Sequence, residues 1–283
     1  MGSPSAFALL GCPVHHSPSP DLHNAWMRHY GLSAQYTAVE CTADAESLEA
    51  LLRRGTYAGV NLTTPLKETL IGRLDTLDEG ARASRAVNTV VHRQGKLHGY
   101  NTDIGGFLDA LTPSWHTPWC ETDALILGAG GAARAVAVAA GAQGARSVQV
   151  LNRTANRARA LVAEMRPTFP ATRWVHAPHL EALTAHPMNS TPLVIDATSG
   201  AHSPWAHPSL LRPGHLWMDL SYWRDLSNWT ELSQTHGVTL IDGTSMLLHQ
   251  AARAFHHFTG VSPDLTIARR VLDELQSIQD SLD

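Results

Sequence analysis

A glycine-rich segment between an apolar run and an alanine-rich run is the first feature of the chain that could carry chemistry. Residues 124–127 (ALIL) lead directly into Gly128, and residues 132–142 follow with helical composition. Gly128 permits a tight turn, Gly130 allows a backbone to approach a pyrophosphate, and Ala133 takes the third, close-packing position. The start of the helix offers free N–H groups and a positive dipole end to phosphate. The pattern predicts a dinucleotide site at Gly128, Ala129, Gly130, Gly131 and Ala132; a glycine-rich turn without a ligand is the alternative.

The end of the next strand indicates which dinucleotide is bound. NAD-binding versions of this motif place an Asp or Glu there to bind the ribose 2′-hydroxyl, whereas this chain has VLNRT at 150–154 and Arg157 after it. Two guanidiniums without a carboxylate suit a 2′-phosphate. Cations at a helix N-terminus oppose the helix dipole, so a bound anion explains them better than solvation alone. We predict NADP(H), contacted by Asn152, Arg153, Thr154 and Arg157.

Lysine is scarce in this chain, and that makes one lysine a candidate for proton chemistry. Of 21 basic residues only Lys67 and Lys96 are lysines. Arginine does not give up its proton near neutral pH, whereas a lysine can be tuned to do so. Lys96 follows Gln94-Gly95 between two strand-like runs, where a solvated hairpin charge is expected. Lys67 follows Pro65 at the start of a predicted helix and is the candidate; taken alone, a lysine at that position is usually solvated.

The elements that must position these residues form two alternating series. In the first series the predicted strands are 6–10, 35–39, 58–62, 87–92 and 97–100, the last two joined as a hairpin, and the predicted helices are 19–30 and 45–52. In the second series the predicted strands are 124–127, 147–151, 193–196, 216–220 and 238–241, with helices at 132–142 and 155–165. Residues from 245 onward read as helical with a break at 260–263. Regular alternation of strand and helix predicts parallel sheets, hence an α/β fold.

Composition excludes several classes of function. A hydrophobic fraction of 43% with 16% charged residues allows real cores. The net charge of -4, without blocks of like charge, indicates neither a nucleic-acid nor a membrane partner. Three sparse cysteines fit a reducing cytoplasm, which we expect as the location. The 17 histidines show no ligand spacing, so no metal is predicted.

Eight short segments, in order along nearly the whole chain, carry a resemblance. They are GCPVHHSPSP at 11–20 followed by His23 and Asn24, GVNLTTPLK at 59–67, AVNT at 86–89, GYNTD at 99–103, NRT at 152–154, ATSG at 197–200, DLSY at 219–222 and GTSMLLHQ at 243–250. Together with the nucleotide loop they are similar to the motifs of the shikimate dehydrogenase family. The resemblance implies reversible reduction of 3-dehydroshikimate to shikimate by NADPH, a step of aromatic amino-acid (chorismate) biosynthesis.

The resemblance also implies a layout. An N-terminal α/β substrate domain comprises residues 1–103, and the C-terminal helices, 243–283, return to it. A Rossmann-type dinucleotide-binding domain comprises residues 104–242. The implied partner is the small-molecule substrate, and a homodimer is left open.

Site residues are carried over from the family motif by motif. Lys67 and Asp103 are the implied catalytic pair, with Lys67 giving a proton to the ketone oxygen as hydride arrives. The implied substrate contacts are Ser17, Ser19, Asn61, Thr63, Lys67, Asn88, Asp103, Tyr222 and Gln250. The residues implied near the cofactor, besides the nucleotide loop and the arginine segment, are Glu79, Thr198, Leu220, Gly243 and Met246; Met246 could equally be a core residue.

The chain departs from the family pattern at positions that bear on substrate choice. Arg85 stands where the family usually has glycine, and Asp196 replaces the asparagine that usually precedes Ala-Thr-Ser. These departures keep two alternatives open. One is a quinate- or aminoshikimate-type dehydrogenase, and the other is a catalytically weak NADP-binding sensor, which the retention of both Lys67 and Asp103 disfavours.

Overall fold

The computed structural model describes residues 5–177, 193–199, 212–222 and 226–280. The chain divides into two compact units, residues 1–106 with 248–283 and residues 107–247. These boundaries lie three and five residues beyond the predicted ones at 103 and 243. The roles predicted for the two parts, substrate binding and NADP binding, are taken up below as proposals.

The first unit contains a six-stranded mixed sheet in the order β2-β1-β3-β5-β6-β4. Strands β1, β2 and β3 are parallel, β5 is antiparallel to both β3 and β6, and β4 is parallel to β6. The N-terminal elements of this unit are β1 (Ser5–Gly11), α1 (Ser19–His29), β2 (Ala34–Glu40), α2 (Ala45–Arg53), β3 (Gly59–Leu62), β4 (Thr76–Leu77), α3 (Glu79–Ser84), β5 (Thr89–Arg93), β6 (Lys96–Tyr100) and the beginning of α4 (Thr102–Leu111).

The second unit contains a six-stranded parallel sheet in the order β12-β11-β10-β7-β8-β9. Its elements are β7 (Asp123–Leu127), α5 (Gly131–Ala142), β8 (Ser147–Leu151), α6 (Ala155–Thr168), β9 (Arg173–His176), β10 (Leu193–Asp196), β11 (Leu216–Asp219), α7 (Ser227–His236) and β12 (Thr239–Ile241). Numbered within this unit, the order is 3-2-1-4-5-6, which is the Rossmann order. The chain ends with α8 (Gly243–Thr259) and α9 (Leu265–Asp280).

The predicted α/β class and every predicted strand are confirmed, with ends shifted by one or two residues. The hairpin at Gln94-Gly95 is also confirmed, and both turn residues have positive φ, 53° and 74°. Three helices that were not predicted, α3, α4 and α7, two short strands, β4 and β9, and a one-turn 3-10 helix at Trp119–Glu121 are also present. Lys67 does not begin an α-helix; it lies in a one-turn 3-10 helix, Leu66–Glu68, whose first residue, Leu66, is buried. Among the described residues no helix is long and apolar enough to cross a membrane.

An aromatic cluster in the first unit encloses a buried histidine. The His23 ring stacks on Tyr36, with centroids 4.2 Å apart and planes 2° apart, and meets Trp26 edge-on. Phe255 and Phe258 lie 5.9 and 5.8 Å from the same ring. Neither imidazole nitrogen has a hydrogen-bond partner among the described residues. Burial lowers the pKa of His23 to about 3, so the ring is neutral in the folded protein.

This histidine predicts a pH dependence of stability. Below its ordinary pKa of 6.5 the unfolded chain binds a proton that the folded chain rejects until about pH 3, so stability is lost as the pH falls through that window. We expect His23→Phe to flatten the decline by up to about 1.4 kcal/mol per pH unit. Urea unfolding between pH 7 and pH 4 measures it, with His16→Phe, at an exposed position, as the control. Parallel curves for wild type and His23→Phe would contradict the assignment.

Arg85 ends α3 in a left-handed conformation, with φ 52° and ψ 36°. In this region the Cβ of any residue other than glycine crowds the residue's own backbone, which costs roughly 1–2 kcal/mol. The glycine that the resemblance leads us to expect at this position would adopt the conformation without this cost. Because the arginine is exposed, its removal takes away little packing.

We therefore expect Arg85→Gly to raise the free energy of unfolding by about 1 kcal/mol. The matched control is Arg82→Gly, an exposed position inside the same helix, where glycine should destabilise by roughly 0.5–1 kcal/mol. Urea unfolding at neutral pH compares the two. A loss of stability in both variants would show that Arg85 is not strained.

Candidate active site

The first unit brings Lys67 and Asp103 together from 36 positions apart in sequence. Lys67 Nζ donates to Asp103 Oδ2 at 2.6 Å. The Lys67 side chain is 17% exposed and that of Asp103 5%, so the pair is shielded from bulk water while the ammonium keeps an opening. A charge-assisted bond of this length in a semi-buried position holds both groups in one geometry. The backbone of Lys67 is also held, since its carbonyl accepts from Val87 N–H at 2.7 Å.

Asn88 forms a hydrogen bond with the other carboxylate oxygen of Asp103. Its Nδ2 donates to Asp103 Oδ1 at 2.8 Å and lies 3.3 Å from Gln250 Oε1. Its Oδ1 accepts from Thr102 N–H at 2.8 Å. Since that N–H can only donate, the orientation of the amide is settled by its surroundings. Lys67, Asp103, Asn88 and Gln250 therefore form one polar cluster, as their shared assignment to a site requires.

Asn61 joins this cluster through the pairing of β3 with β5. Asn61 lies directly opposite Thr89 in the antiparallel register, and its Nδ2 donates to Thr89 Oγ1 at 2.9 Å. The same Nδ2 donates to the Asn88 carbonyl at 3.1 Å. Its Oδ1 accepts from the Tyr36 hydroxyl at 2.8 Å. Asn61 is thus a fixed part of the cluster's floor.

The helix that carries Gln250 reaches the cluster because a glycine faces it. A side chain on Gly106, in α4, would place its Cβ 2.7 Å from Gln250 Cβ and 2.8 Å from its backbone nitrogen. Real Cβ atoms do not approach so closely, so only glycine allows α4 and α8 to pack at this distance. The returning C-terminal helix therefore completes the polar cluster.

Ser17 and Ser19 form a second polar group of the first unit. The Ser17 hydroxyl donates to Ser19 Oγ at 3.2 Å, and Ser19 N–H donates to Ser17 Oγ at 3.3 Å. Ser19 is buried at the start of α1, and Ser17 is half-buried. Thr63 is half-buried beyond β3, with its N–H bonded to the Leu10 carbonyl. The structure joins none of these three side chains by a described hydrogen bond to the Lys67 cluster.

The predicted nucleotide loop lies at the point of the second sheet where strand order reverses. Gly128 follows β7 with φ 113°, and a Cβ there would lie 2.9 Å from the Ala197 carbonyl beyond β10. Gly130 is the N-cap of the twelve-residue helix α5, and open space surrounds the position of its missing Cβ. Ligands of open α/β sheets bind at such switch points. The loop therefore fits a pyrophosphate at the helix N-terminus.

The segment after β8 presents its two arginines to solvent. Arg153 and Arg157 are exposed on either side of Thr154, the N-cap of α6. Asn152 Nδ2 donates to the Thr154 carbonyl at 3.0 Å and so shapes the turn between them. Exposed guanidiniums at a helix start can reorient towards an anion at little desolvation cost. This arrangement fits the 2′-phosphate of NADP.

Asp196 and Asp219 build matching turns where β10 and β11 end. The two residues are partners in the parallel register, and both are buried. Asp196 Oδ1 accepts from Thr198 N–H at 2.9 Å and from the Thr198 hydroxyl at 2.5 Å, while Asp219 Oδ1 accepts from Ser221 N–H at 2.8 Å. Asp196 thereby fixes the position of Thr198. Gly200, at the end of the ATSG segment, lies outside the described residues.

The remaining predicted residues are more scattered. Gly243 begins α8 against Leu220, since a Cβ on Gly243 would lie 2.6 Å from the Leu220 carbonyl. Met246 is buried and Tyr222 half-buried, both in the second unit. Glu79 is exposed at the first position of α3 in the first unit, which does not contain the nucleotide loop. The cofactor role of Glu79 stays a prediction.

The structure adds residues that the motif reading missed. Thr89 and Thr102 are buried beside Asn88, with Thr102 Oγ1 accepting from Asn88 Nδ2 at 2.8 Å. Tyr36 lies outside every motif yet binds Asn61. Both threonines stand inside the AVNT and GYNTD segments, so the motifs contained them. No sequence signal linked Tyr36 to Asn61, 25 residues later, because that contact depends on strand order.

Three family models match the chain along most of its length. The model described as shikimate dehydrogenase substrate binding domain matches residues 9–90. The model described as shikimate/quinate 5-dehydrogenase matches residues 114–242, and the shikimate 5′-dehydrogenase C-terminal domain matches residues 243–272. The three matches follow one another in the order expected of a single family.

Individual relatives agree with these matches. A protein of an Exiguobacterium species named shikimate dehydrogenase (NADP(+)) is 34% identical over 95% of this chain and 98% of its own. The structure of shikimate 5-dehydrogenase from Thermus thermophilus in complex with NADP(H) and shikimate is 35% identical with a TM-score of 0.79, over 95% of this chain and 99% of that one. Quinate dehydrogenase from Corynebacterium glutamicum in complex with NAD is 26% identical with a TM-score of 0.81, over 96% and 100%.

Proposed function

Because the chain belongs to the shikimate dehydrogenase family, we propose that it catalyses the reversible reduction of 3-dehydroshikimate to shikimate with NADPH. The observation that carries the proposal is the Lys67–Asp103 pair, 2.6 Å apart and largely buried among uncharged hydrogen-bonding groups. Such a site supplies a proton donor for a ketone oxygen and hydrogen-bonding groups for ring hydroxyls. The reaction belongs to aromatic amino-acid biosynthesis.

The residues of the first unit divide the work on the substrate. The Lys67 ammonium gives a proton to the ketone oxygen during reduction and takes it back from the hydroxyl in the reverse direction. Asp103 holds the ammonium in place and accepts a bond from a neighbouring ring hydroxyl. Asn88, Asn61, Thr63 and Gln250 offer polar groups to the ring, and the remaining exposure of Lys67, 17%, lets water restore its proton.

We propose that Ser17 and Ser19 bind the substrate carboxylate. Their hydroxyl oxygens lie 3.2 Å apart, close enough for both to donate to one carboxylate. Uncharged donors cost less to desolvate than an arginine. We assign Tyr222 a further contact with the substrate.

The second unit is proposed to hold NADP(H). When bound, the cofactor's nicotinamide supplies or accepts the hydride. Its pyrophosphate is assigned to Gly128–Ala132 at the start of α5, its 2′-phosphate to Arg153 and Arg157 with Asn152 and Thr154, and its nicotinamide end to Thr198, Leu220, Gly243 and Met246. We also propose a cytoplasmic location, which the three free cysteines support. A homodimer stays a prediction, for which light scattering is the test.

The first experiment pairs shikimate or quinate with NADP+ or NAD+ and follows absorbance of the reduced nicotinamide. We expect the highest kcat/KM for shikimate with NADP+.

Replacing both Arg153 and Arg157 by Ala should raise the KM for NADP+ by about 10- to 100-fold, from the loss of charge-assisted bonds, and leave the KM for NAD+ unchanged. Faster turnover of quinate would assign the quinate-type alternative, and tight NADPH binding without turnover the sensor alternative.

The proton role of Lys67 has a matched control within the chain. We expect Lys67→Ala to lower kcat by roughly 10²–10⁴-fold, the usual contribution of general acid–base catalysis. Lys96→Ala removes the only other lysine, on the exposed hairpin, and should keep full activity. Circular dichroism checks that both variants are folded. Full activity of Lys67→Ala would contradict the mechanism.

A further inference from the structure

We propose that Tyr36 is a positioning residue for the Lys67–Asp103 pair, acting through a directed chain of side-chain hydrogen bonds, and that the His23-Asn24 motif exists to hold it. The inference rests on the proposed dehydrogenase function. Tyr36 is buried, lies in none of the sequence motifs, and donates a hydrogen bond to Asn61 of the polar cluster.

The chain runs from Tyr36 to Asp103 in four steps. The Tyr36 hydroxyl donates to Asn61 Oδ1 at 2.8 Å, and Asn61 Nδ2 donates to Thr89 Oγ1 at 2.9 Å. The Thr89 hydroxyl then donates to Asn88 Oδ1 at 3.0 Å. Asn88 Nδ2 donates to Asp103 Oδ1 at 2.8 Å. Every donor therefore points towards the carboxylate that holds the Lys67 ammonium.

The direction of the chain follows from fixed backbone groups. The Asn61 amide atom 3.1 Å from the Asn88 carbonyl must be nitrogen, because that carbonyl only accepts. The opposite atom is then Oδ1, so Tyr36 must donate. The Asn88 atom 2.8 Å from Thr102 N–H must be oxygen by the same reasoning. Thr89 Oγ1 accepts from Asn61, and its own proton goes to Asn88 Oδ1 at 3.0 Å, which is nearer than Thr102 Oγ1 at 3.4 Å.

A hydrogen-bond chain in which every donor points the same way is stronger than its separate bonds. Aligned hydrogen bonds polarise one another, and the effect is largest where water is excluded. Asn61, Thr89, Asn88 and Asp103 are all buried, and the positive ends of the chain face the carboxylate. The Tyr36 hydroxyl donates into this chain through Asn61, so it contributes to the polarisation of every later link.

The His23-Asn24 motif holds Tyr36 from two sides. Asn24 clamps its backbone, with Nδ2 donating to the Tyr36 carbonyl at 2.8 Å and Oδ1 accepting from Tyr36 N–H at 2.9 Å. The neutral His23 ring, whose nitrogens have no hydrogen-bond partner within the described part of the chain, covers its face at 4.2 Å. The His23 side chain thus serves as a flat packing surface, and the motif gains a function that neither substrate nor cofactor supplies.

Tyr36→Phe tests the inference, because it removes the hydroxyl and retains the ring. We expect kcat with shikimate and NADP+ to fall about five- to tenfold while the KM for shikimate stays within about twofold. The matched control is Tyr30→Phe. It removes a hydroxyl that accepts from Asp264 N–H at 2.9 Å and takes no part in the hydrogen-bond chain, so both constants should stay unchanged. Thermal unfolding of each variant checks the fold.

A double-variant cycle distinguishes action through the hydrogen-bond chain from a merely structural role of Tyr36. Thr89→Val breaks the chain downstream, so Tyr36→Phe should have no further effect on kcat in that background. Multiplied effects, an unchanged kcat in Tyr36→Phe, or a rise in KM alone would each overturn the inference. If Tyr36→Phe does not fold, the comparison of Thr89→Val with Thr89→Ser, which keeps the hydroxyl and should retain kcat, decides. Inactive wild-type enzyme would instead overturn the proposed function.

Discussion

Neither a lysine ammonium nor an aspartate carboxylate can be buried alone without a large loss of hydration, and the first unit is built around meeting that constraint at one place. Asp103 is buried and Lys67 is half-buried, and the two are paired. The pairing balances the two charges but leaves the remaining carboxylate lone pairs to be satisfied. Asn88 satisfies the second carboxylate oxygen. Its own oxygen then requires donors, which Thr102 and Thr89 provide. Each of these bonds thus brings a further polar side chain into the cluster.

Sheet topology decides which residues can take part in that growth. The pairing of β3 with β5 puts Asn61 opposite Thr89, and the turn from β6 into α4 delivers Asp103 beside Asn88. Gln250 comes from a helix that returns after the entire second unit. A site assembled from such distant segments keeps its geometry only if the backbone elements are rigid. Buried leucines and valines of the first core, among them Leu10, Leu62 and Val90, provide that rigidity.

Much of this could be predicted from the sequence, for identifiable physical reasons. Strand periods and the glycine loop are local signals, so ten strands and the start of α5 were predicted to within two residues, whereas the short strands β4 and β9 were missed. The pairing of Lys67 with Asp103 was reached through motif resemblance, because no local pattern links residues 36 apart. Helix α3 was missed since six residues show little periodicity. Tyr36 was missed because its contact depends on strand order, and the unpartnered nitrogens of His23 depend on packing alone.

The departure at Asp196 shows how a change of residue type can leave geometry intact. Its Oδ1 accepts from both the N–H and the hydroxyl of Thr198, and the amide oxygen of an asparagine can accept the same two bonds. The strand-end turn therefore does not depend on the carboxyl group. Asp219 makes the equivalent turn one strand away, which shows that the sheet accommodates a carboxyl at this register. The turn that places Thr198 is thus a property of the strand end, and the second unit retains it whichever of the two residues stands there.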